Sequence, residues 1–289
     1  YARDSILSLG IHELIADFIE GVAQFLEADA QVDSEFHENV NDLLILSSYC
    51  LESIFTDLND IDRKAVFDFI PRFILLLRIP NLKVSYNIIQ ILLYIARKFP
   101  STAYMLFDIK DGEIKEHILR FLIGDFESFR SGSEFDIEAY IEENEDLIEI
   151  TLKFLGNLCH AKPSEVISLY SAGICNVLHV LLNSPKLITE VLWVLSNMYE
   201  VITDQMIDEI TSDFISEIVN YTTNCNFDCK LETGYFLATI IFFSPASMIK
   251  SFIIQEIIDI IVEILGCGLP KIVDRSANAI ARLGHYAQM

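Results

Sequence analysis

The sequence predicts an all-helical protein, and three observations support this prediction. Apolar residues recur with the 3.6-residue period of an amphipathic helix along most of the 289-residue chain. Glycine and proline, of which there are 11 and 7, fall between those periodic segments, as helix stops and starts should. Alternating apolar and polar runs joined by hairpin-type turns are absent from the sequence. The predicted fold class is therefore all-α.

An internal repeat indicates how the helices are organised. Six five-residue blocks align with one another, at residues 44–48, 86–90, 153–157, 193–197, 235–239 and 278–282. The last residues of successive blocks are separated by 42, 67, 40, 42 and 43 positions. A second apolar helix is predicted before most blocks, at residues 67–77, 172–182, 212–221 and 255–265. Two or three helices in a repeat of about 40 to 47 residues are typical of armadillo and HEAT arrays. We therefore predict a single armadillo array of about six repeats over residues 1–289, wound into a right-handed superhelical solenoid.

The separation of 67 predicts that one repeat carries an insertion of roughly 25 residues. Residues 125–149 fit this insertion, because they hold ten acids and one base, Arg130, with a short helix predicted near 137–141. Two interpretations remain open at this point. The segment is either a solvated surface loop or an added acidic lip for a basic ligand.

Charge and hydropathy limit the kinds of molecule that the protein is expected to bind. The formal net charge is −23, from 43 acids and 20 bases, so the surface repels nucleic acid and anionic lipid and attracts basic partners. The same charge also serves solubility, because 52% of the residues are hydrophobic. The most apolar stretch, 248–269, is interrupted by charged residues at helical spacing, which indicates an amphipathic helix rather than a membrane span.

The six cysteines are scattered, and most lie inside apolar helical patterns as small buried residues. Only Cys225 and Cys229 are close in sequence, and no histidine follows them at zinc-finger spacing. The first nine residues carry charge where a signal peptide would be apolar. We therefore expect free thiols in a reducing compartment, the cytosol or nucleus, and no metal or cofactor.

Several segments resemble one known family. Residues 151–161 (TLKFLGNLCHA) are similar to the importin-alpha (karyopherin-alpha) segment that contains Gly-Asn-Ile-Val-Thr-Gly. Residues 181–186 (LLNSPK) and 190–197 (EVLWVLSN) resemble the next repeat of that family, and 232–239 (ETGYFLAT) stand where it has Glu-Ala-Cys-Trp-Ala-Ile-Ser-Asn. On this alignment the chain covers roughly the fourth to ninth repeats. We therefore expect the basic N-terminal segment and the first repeats of the family to lie outside it.

The resemblance implies a nuclear import adaptor. Such proteins bind Lys/Arg-rich nuclear localisation signals in an acidic concave groove and pass their cargo to an importin-beta carrier, working in the cytoplasm and nucleus. Two sets of groove residues carry over by register: Glu190, Trp193 and Asn197 in one repeat, and Glu232, Tyr235 and Thr239 in the next. Positions i, i+3 and i+7 of a helix share one face. An aromatic face beside a carboxylate suits a Lys or Arg side chain, and an asparagine amide suits the main chain of an extended peptide.

The early repeats depart from the family pattern. Where the family has Trp and Asn, this chain has Leu44 with Ser48 and Tyr86 with Gln90, and Lys83 replaces an acid. We therefore expect peptide mainly in the later repeats, which resemble the family's minor site. Between the two regions Asn157 is kept, and Lys153 replaces a family arginine four residues before it, which preserves the positive charge.

The same residues are open to other interpretations. A lone tryptophan such as Trp193 on an amphipathic helix is often a core residue, and Glu190 and Glu232 are also compatible with solvated helix charges. An enzyme is disfavoured, because the chain has no Gly-rich phosphate loop, no His-Glu-x-x-His and no Gly-x-Ser-x-Gly elbow. An armadillo scaffold unrelated to import is the main alternative. The charge on the concave face discriminates the two, because a negative face supports a receptor for basic peptides and a positive face supports the scaffold.

Overall fold

The structure, a computed structural model, describes residues 7–28, 34–56, 63–109, 113–125, 128, 136–160, 162–222 and 225–287. Over these residues the chain forms α-helices joined by turns and short 3-10 segments, and no strand is present. The prediction of an all-α fold is confirmed. The chain divides into two compact units, Tyr1–Leu158 and Cys159–Met289. The prediction of one continuous superhelical array of about six repeats stays a prediction.

The described helices of the first unit are α1 (Ile11–Ala28), α2 (Ser34–Phe55), α3 (Arg63–Leu76), α4 (Leu82–Lys98), α5 (Thr102–Asp108), α6 (Ile114–Ile123), α7 (Ile137–Glu143) and α8 (Glu145–Leu158). Those of the second unit are α9 (Pro163–Ser171), α10 (Ile174–Leu181), α11 (Ile188–Met206), α12 (Ser212–Tyr221), α13 (Phe227–Phe243), α14 (Ala246–Ile249), α15 (Gln255–Ile264) and α16 (Pro270–Ala287). The helices predicted at 67–77, 172–182, 212–221 and 255–265 correspond to α3, α10, α12 and α15.

In the first unit, the helices that carry the repeated blocks pack side by side. Helix α4 lies against both α2 and α8, while α3 packs on α4 and α6 packs on α8. One buried hydrogen bond crosses the contact between α2 and α4, in which Asn87 of α4 donates its Nδ2 to Ser48 Oγ of α2 at 2.8 Å. Ile88, Ile89 and Leu92 of α4 are fully buried. The repeat is therefore a stacking unit, because each of these helices buries its apolar faces against its neighbours.

The second unit repeats this arrangement with α11, α13 and α16. Helix α13 packs against α11 on one side and α16 on the other, and α15 lies against both α13 and α16. Gly234 of α13 permits the close approach of α15, because a Cβ there would lie 2.8 Å from Ile264 Cδ1. The Tyr199 hydroxyl of α11 forms a hydrogen bond with Ser244 Oγ, at the end of α13, at a distance of 2.7 Å. Three successive repeats are thus joined around α13.

Helix boundaries follow local sequence signals. The side chains of Asn81 and Asn226 cap α4 and α13 by accepting backbone N–H groups of the first turn. Pro163 occupies the first turn of α9, where its missing N–H costs nothing. Gly173 separates α9 from α10 with a left-handed φ of 93°, which glycine adopts without strain. The expectation that proline and glycine fall between helices is wrong at five described positions, because Pro71 lies inside α3 and four glycines lie inside α1, α8, α13 and α16: Gly21, Gly156, Gly234 and Gly284.

The acidic insertion is helical where the structure describes it. The Asp136 side chain caps α7 through Ala139 N at 3.0 Å, and the α7 prediction near 137–141 is borne out. The Tyr140 hydroxyl lies within hydrogen-bond distance of the carbonyl oxygens of Phe121 (3.1 Å) and Arg120 (3.2 Å), which fixes α7 on α6. Positions 145–149 belong to α8. The segment is therefore not simply a solvated loop after position 136. Residues 126–127 and 129–135, including Arg130, lie outside the described residues.

Within the described part of the chain, no single helix is both long and apolar enough to cross a membrane. Helices α9 and α10 satisfy the length and composition test only as a pair, and the pair is bent by 71°.

Arg282 of α16 is a stability determinant of the second unit. Its guanidinium donates to the carbonyl oxygens of Ile241 (2.7 Å), Phe242 and Ser244 (2.5 Å), which are the unpaired acceptors at the end of α13. Arg282→Met removes these charge-assisted hydrogen bonds and should lower the free energy of unfolding by about 2 kcal/mol. The measurement is urea denaturation followed by circular dichroism. The control is Arg97→Met, an exposed arginine near the end of α4, which should change stability by less than about 0.5 kcal/mol. Equal effects of the two changes would contradict this role.

Candidate functional site

The first predicted set lies on α11. Glu190 and Trp193 are half-buried, whereas Asn197 is buried. The residues beside Trp193, Leu192 and Val194, are fully buried. Trp193 is therefore at the edge of the core rather than inside it, and part of its surface is accessible to a ligand.

The second predicted set lies on α13 and is less open. Glu232 is half-buried, but Tyr235 is 4% exposed and Thr239 is fully buried. The Tyr235 side chain packs against Ile264 and Ile272. Its hydroxyl is buried and makes no hydrogen bond within the described residues.

Two basic residues of α16 cover the Tyr235 ring. Lys271 Nζ lies 5.5 Å from the ring centroid and Arg275 Cζ lies 5.8 Å from it. Arg275 Nη1 also approaches the Thr239 hydroxyl at 3.4 Å, and its Nη2 pairs with Glu200 of α11 at 3.3 Å. The protein's own cations therefore occupy the aromatic and hydroxyl positions that we predicted for a peptide.

Register explains why Arg275 reaches this place. Glu190 stands seven residues before Asn197, and Glu232 stands seven before Thr239. Arg275 stands seven residues before Arg282 in the same alignment, so the last repeat has a base where the two preceding repeats have an acid. Sequence reasoning missed Arg275 and Lys271 as site residues. The signal that would have found Arg275 was this exchange of charge at one register position.

The carboxylates of this region repel one another. Glu232 has a pKa raised to about 7, chiefly because burial removes water from the charged form, and then because the negative charges of Glu190 and Asp228 lie nearby. Lys271 opposes this shift only in part. One carboxylate oxygen of Glu232, Oε2, is buried without a hydrogen bond in the described structure. Burial and the neighbouring acids together therefore favour the protonated form of Glu232.

The two remaining predicted residues lie on α8 in the first unit. Lys153 forms an ion pair with Glu149, one turn earlier on the same helix. Asn157 donates its Nδ2 to the carbonyl oxygen of Lys153 at 2.7 Å. Both side chains are half-buried and make contacts within their own helix. Their role in peptide binding stays a prediction.

The groove positions of the early repeats, where the chain departs from the family pattern, range from fully buried to exposed. Leu44 is 1% exposed and belongs to the core, and Ser48 is fully buried. Tyr86 and Gln90 are half-buried, and Lys83 is exposed. Metal ligation has no candidate in the described chain, because no three His, Cys, Asp or Glu side chains are grouped suitably there.

Comparison with known proteins identifies the fold. No protein-family model matches the chain, and no curated protein matches it in sequence. An engineered protein of known structure superposes with a TM-score of 0.64 at 15% identity, over 93% of this chain and 97% of that chain. The designed armadillo repeat protein YIII(Dq)4CqI gives a TM-score of 0.64 at 12% identity, over 93% and 99%. The designed armadillo repeat protein YIII(Dq.V1)4CPAF, solved in complex with the peptide (KR)4, gives 0.63 at 13% identity, over 93% and 99%.

These similarities, at low identity, show the fold and nothing finer. The chain has the all-α armadillo-repeat fold that its internal repeat predicts. Stacked repeats of this kind generate extended surfaces that bind other proteins.

The pKa of Glu232 has a consequence for stability. Its value is about 7 in the folded protein and near 4.5 when unfolded, so between these values the folded state binds more protons. Stability should therefore fall as pH rises from about 4.5 to about 7, and the penalty should be complete above pH 7. Glu232→Gln removes that penalty and should raise the free energy of unfolding at pH 8 by about 2–3 kcal/mol, with little change at pH 4.5. Urea denaturation at both pH values measures this.

The matched control is Glu256→Gln, which removes an exposed carboxylate of α15 in the same unit. It should leave stability nearly unchanged at both pH values. A Glu232→Gln protein that is less stable than the parent at pH 8 would show that Glu232 is adequately neutralised in the folded chain.

Proposed function

We propose that this chain is a non-catalytic adaptor that binds Lys/Arg-rich protein segments, with its principal site on α11 and α13. The observation that carries the proposal is the pair of half-buried carboxylates, Glu190 and Glu232, on adjacent helices, together with the half-buried Trp193 on the same face of α11 as Glu190. Carboxylates that repel one another are stabilised by an added cation.

Each residue has a separate role in this site. A Lys or Arg side chain lays its aliphatic stem on Trp193 and places its charge beside Glu190 and Glu232, which combines packing, cation–π attraction and Coulomb attraction. Asn197, one turn after Trp193 and 4% exposed, is the residue that the resemblance assigns to the main chain of an extended segment. Desolvation by the half-buried surroundings strengthens these interactions relative to an exposed salt bridge.

Arg275 of the protein itself already shows how a cation is held between aromatic rings and a carboxylate. Its guanidinium lies 4.9 Å from the Phe242 ring centroid and 4.7 Å from that of Phe243, and it pairs with Glu200. Its side chain is only 11% exposed. A cation between aromatic rings and a carboxylate is therefore a stable arrangement in this repeat geometry, and the proposed ligand would reproduce it one repeat earlier.

Two further observations agree with a basic partner. The net charge of −23 steers cationic segments toward the chain and disfavours nucleic acid and anionic membranes as partners. A protein with a similar fold, a designed armadillo repeat protein, was solved with the peptide (KR)4, which alternates Lys and Arg. We therefore take an extended Lys/Arg-rich peptide as the ligand class.

We further propose nuclear import as the biological setting. The similarity of 151–161 and 190–197 to importin-alpha supports a receptor for nuclear localisation signals, which moves between cytoplasm and nucleus and docks on an importin-beta-type carrier. The specific observation that favours the alternative, an armadillo scaffold outside import, is the covering of Tyr235 by Lys271 and Arg275. That covering leaves one predicted groove position without room for cargo.

Trp193→Ala tests the site. If Trp193 holds a basic side chain, the change should weaken an eight-residue alternating Lys–Arg peptide by about tenfold, and the thermal midpoint should move little. If Trp193 is a core residue, the change should cost about 3–5 kcal/mol of stability through the cavity it leaves. Fluorescence anisotropy of a labelled peptide and thermal unfolding, measured on the same samples, separate the two cases.

Phe227→Ala is the matched control, because Phe227 is an aromatic residue of α13 that is 56% exposed. It should affect neither affinity nor midpoint by a comparable amount. An unchanged peptide affinity in folded Trp193→Ala protein would remove Trp193 from the binding site.

A further inference from the structure

Two cysteines lie together at the start of α13. Cys225 immediately precedes the capping residue Asn226, and Cys229 is the third residue of the helix. The Asn226 side chain accepts the backbone N–H of Cys229 at 2.9 Å, which holds the cap and the first turn together. In a capped helix start, the residue before the cap folds back over the first turn. The turn therefore places the Cys225 side chain beside that of Cys229.

The two sulfur atoms are in contact. Cys225 and Cys229 are free thiols, and the Cys229 thiol lies within hydrogen-bond range of the Cys225 sulfur. Burial, followed by this contact, raises the pKa of Cys229, so that Cys229 keeps its proton near neutral pH. A protonated Cys229 can donate a hydrogen bond to a thiolate at Cys225. Two thiols this close can be joined by a disulfide without a large movement of the backbone.

The two thiols of this pair differ in their access to solvent. Cys225 is half-buried, whereas Cys229 is 5% exposed. A reagent from solution therefore reaches Cys225 first, while Cys229 is shielded from it. The neighbouring cysteines of α10 and of the end of α8 differ from this pair, because Cys175 and Cys159 are both buried. Only an accessible thiol beside a shielded one allows a reaction in two ordered steps.

We infer that Cys225 and Cys229 form a thiol–disulfide exchange site, in which Cys225 reacts with a low-molecular-weight disulfide and Cys229 completes the exchange. The observation that carries the inference is the contact of an accessible thiol with a shielded thiol across the capped first turn of α13. The site gives the chain a reversible covalent state at the start of this helix. It does not depend on the proposed peptide binding.

The exchange has two steps. In the first, the Cys225 thiolate attacks one sulfur of the small-molecule disulfide, whose S–S bond breaks, and the leaving thiolate takes up a proton. In the second, Cys229 loses its proton to water, and its thiolate attacks the Cys225 sulfur and displaces the second small-molecule thiolate, which is protonated in turn. The protein loses two thiol hydrogens and gains one disulfide, while one small-molecule disulfide is reduced to two thiols.

Proximity favours the second step over a stable adduct. Cys229 lies four residues from Cys225, so its effective concentration at the mixed disulfide is high, on the order of millimolar or above. The ring that forms encloses the Asn226 cap and is short, and a short ring adds less stability than a long one. The oxidised and reduced states should therefore interconvert according to the ambient ratio of disulfide to thiol.

The test uses the full chain with Cys50→Ser and Cys267→Ser, which removes the other two cysteines that are not buried. The folded protein is exposed to oxidised glutathione, and its intact mass is measured. We expect a loss of two hydrogens with no retained glutathione, and peptide mapping should locate the disulfide between Cys225 and Cys229. Adding Cys229→Ser should stop the exchange after its first step, so that one glutathione stays attached to Cys225.

The matched control carries Cys225→Ser, Cys229→Ser and Cys267→Ser and keeps Cys50, an exposed thiol of α2 in the other unit. It should retain its glutathione adduct, because no neighbouring thiol displaces it. In the chain that keeps Cys225 and Cys229, the transient adduct should disappear at a rate that does not depend on the glutathione concentration, because the second step is intramolecular.

Peptide mapping of the unsubstituted chain after the same treatment keeps the test independent of how well the variants fold, and circular dichroism checks the fold of each variant. A disulfide between Cys225 and Cys229 in the unsubstituted chain supports the inference. A stable glutathione adduct on Cys225 while Cys229 is present would overturn it. So would a lack of reaction at Cys225 in the folded chain, or a disulfide that joins Cys225 to another cysteine or to a second chain.

Discussion

The side-by-side packing of the last helix of each repeat determines what the rest of each unit can do. Because α2, α4 and α8 stack in one unit and α11, α13 and α16 in the other, residues at one register position approach the same positions of the next helix. The interaction between Glu190 and Glu232 follows from this packing, since two acids occupy equivalent positions on adjacent helices. So does the pairing of Arg275 with the Tyr235–Thr239 positions. The charge of the residue at one register position therefore determines whether that position attracts a cation from a ligand or already contains a cation of the chain itself.

Equivalent positions on neighbouring helices are therefore either open to a cation from a ligand or already occupied by a cation of the chain itself. The slot beside Tyr235 is filled by Arg275 and Lys271, which act as structural cations between α13 and α16. On the α11–α13 face the equivalent register positions hold acids, Glu190 and Glu232, and the pKa of Glu232 is raised, first by burial and then by the negative charge of Glu190.

The sequence was sufficient to predict the fold, but it did not predict which groove positions are open and which are occupied by the chain's own cations. Helical periodicity and the repeated blocks are local signals, and they predicted the stacking helices and the set of Glu190, Trp193 and Asn197 on one face of α11. The covering of Tyr235 depends on a residue 40 positions later in the chain and on which helix lies beside α13, so periodicity alone did not reveal it. The docking of α7 through the Tyr140 hydroxyl onto two carbonyl groups of α6 is similarly non-local. The acidic composition of the insertion suggested solvation, whereas one aromatic residue within it determined packing.

The central claim is that a cation from a partner is bound beside Glu232, and proton release measures this most directly. Near pH 7 Glu232 is about half protonated in the free chain, and a bound Lys or Arg lowers its pKa. Isothermal titration calorimetry of an alternating Lys–Arg peptide, repeated at pH 7 in buffers with different ionisation enthalpies, gives the number of protons exchanged. The account predicts release of roughly half a proton per peptide, and no release from Glu232→Gln protein. Peptide binding without proton release in the unmodified chain would contradict the account.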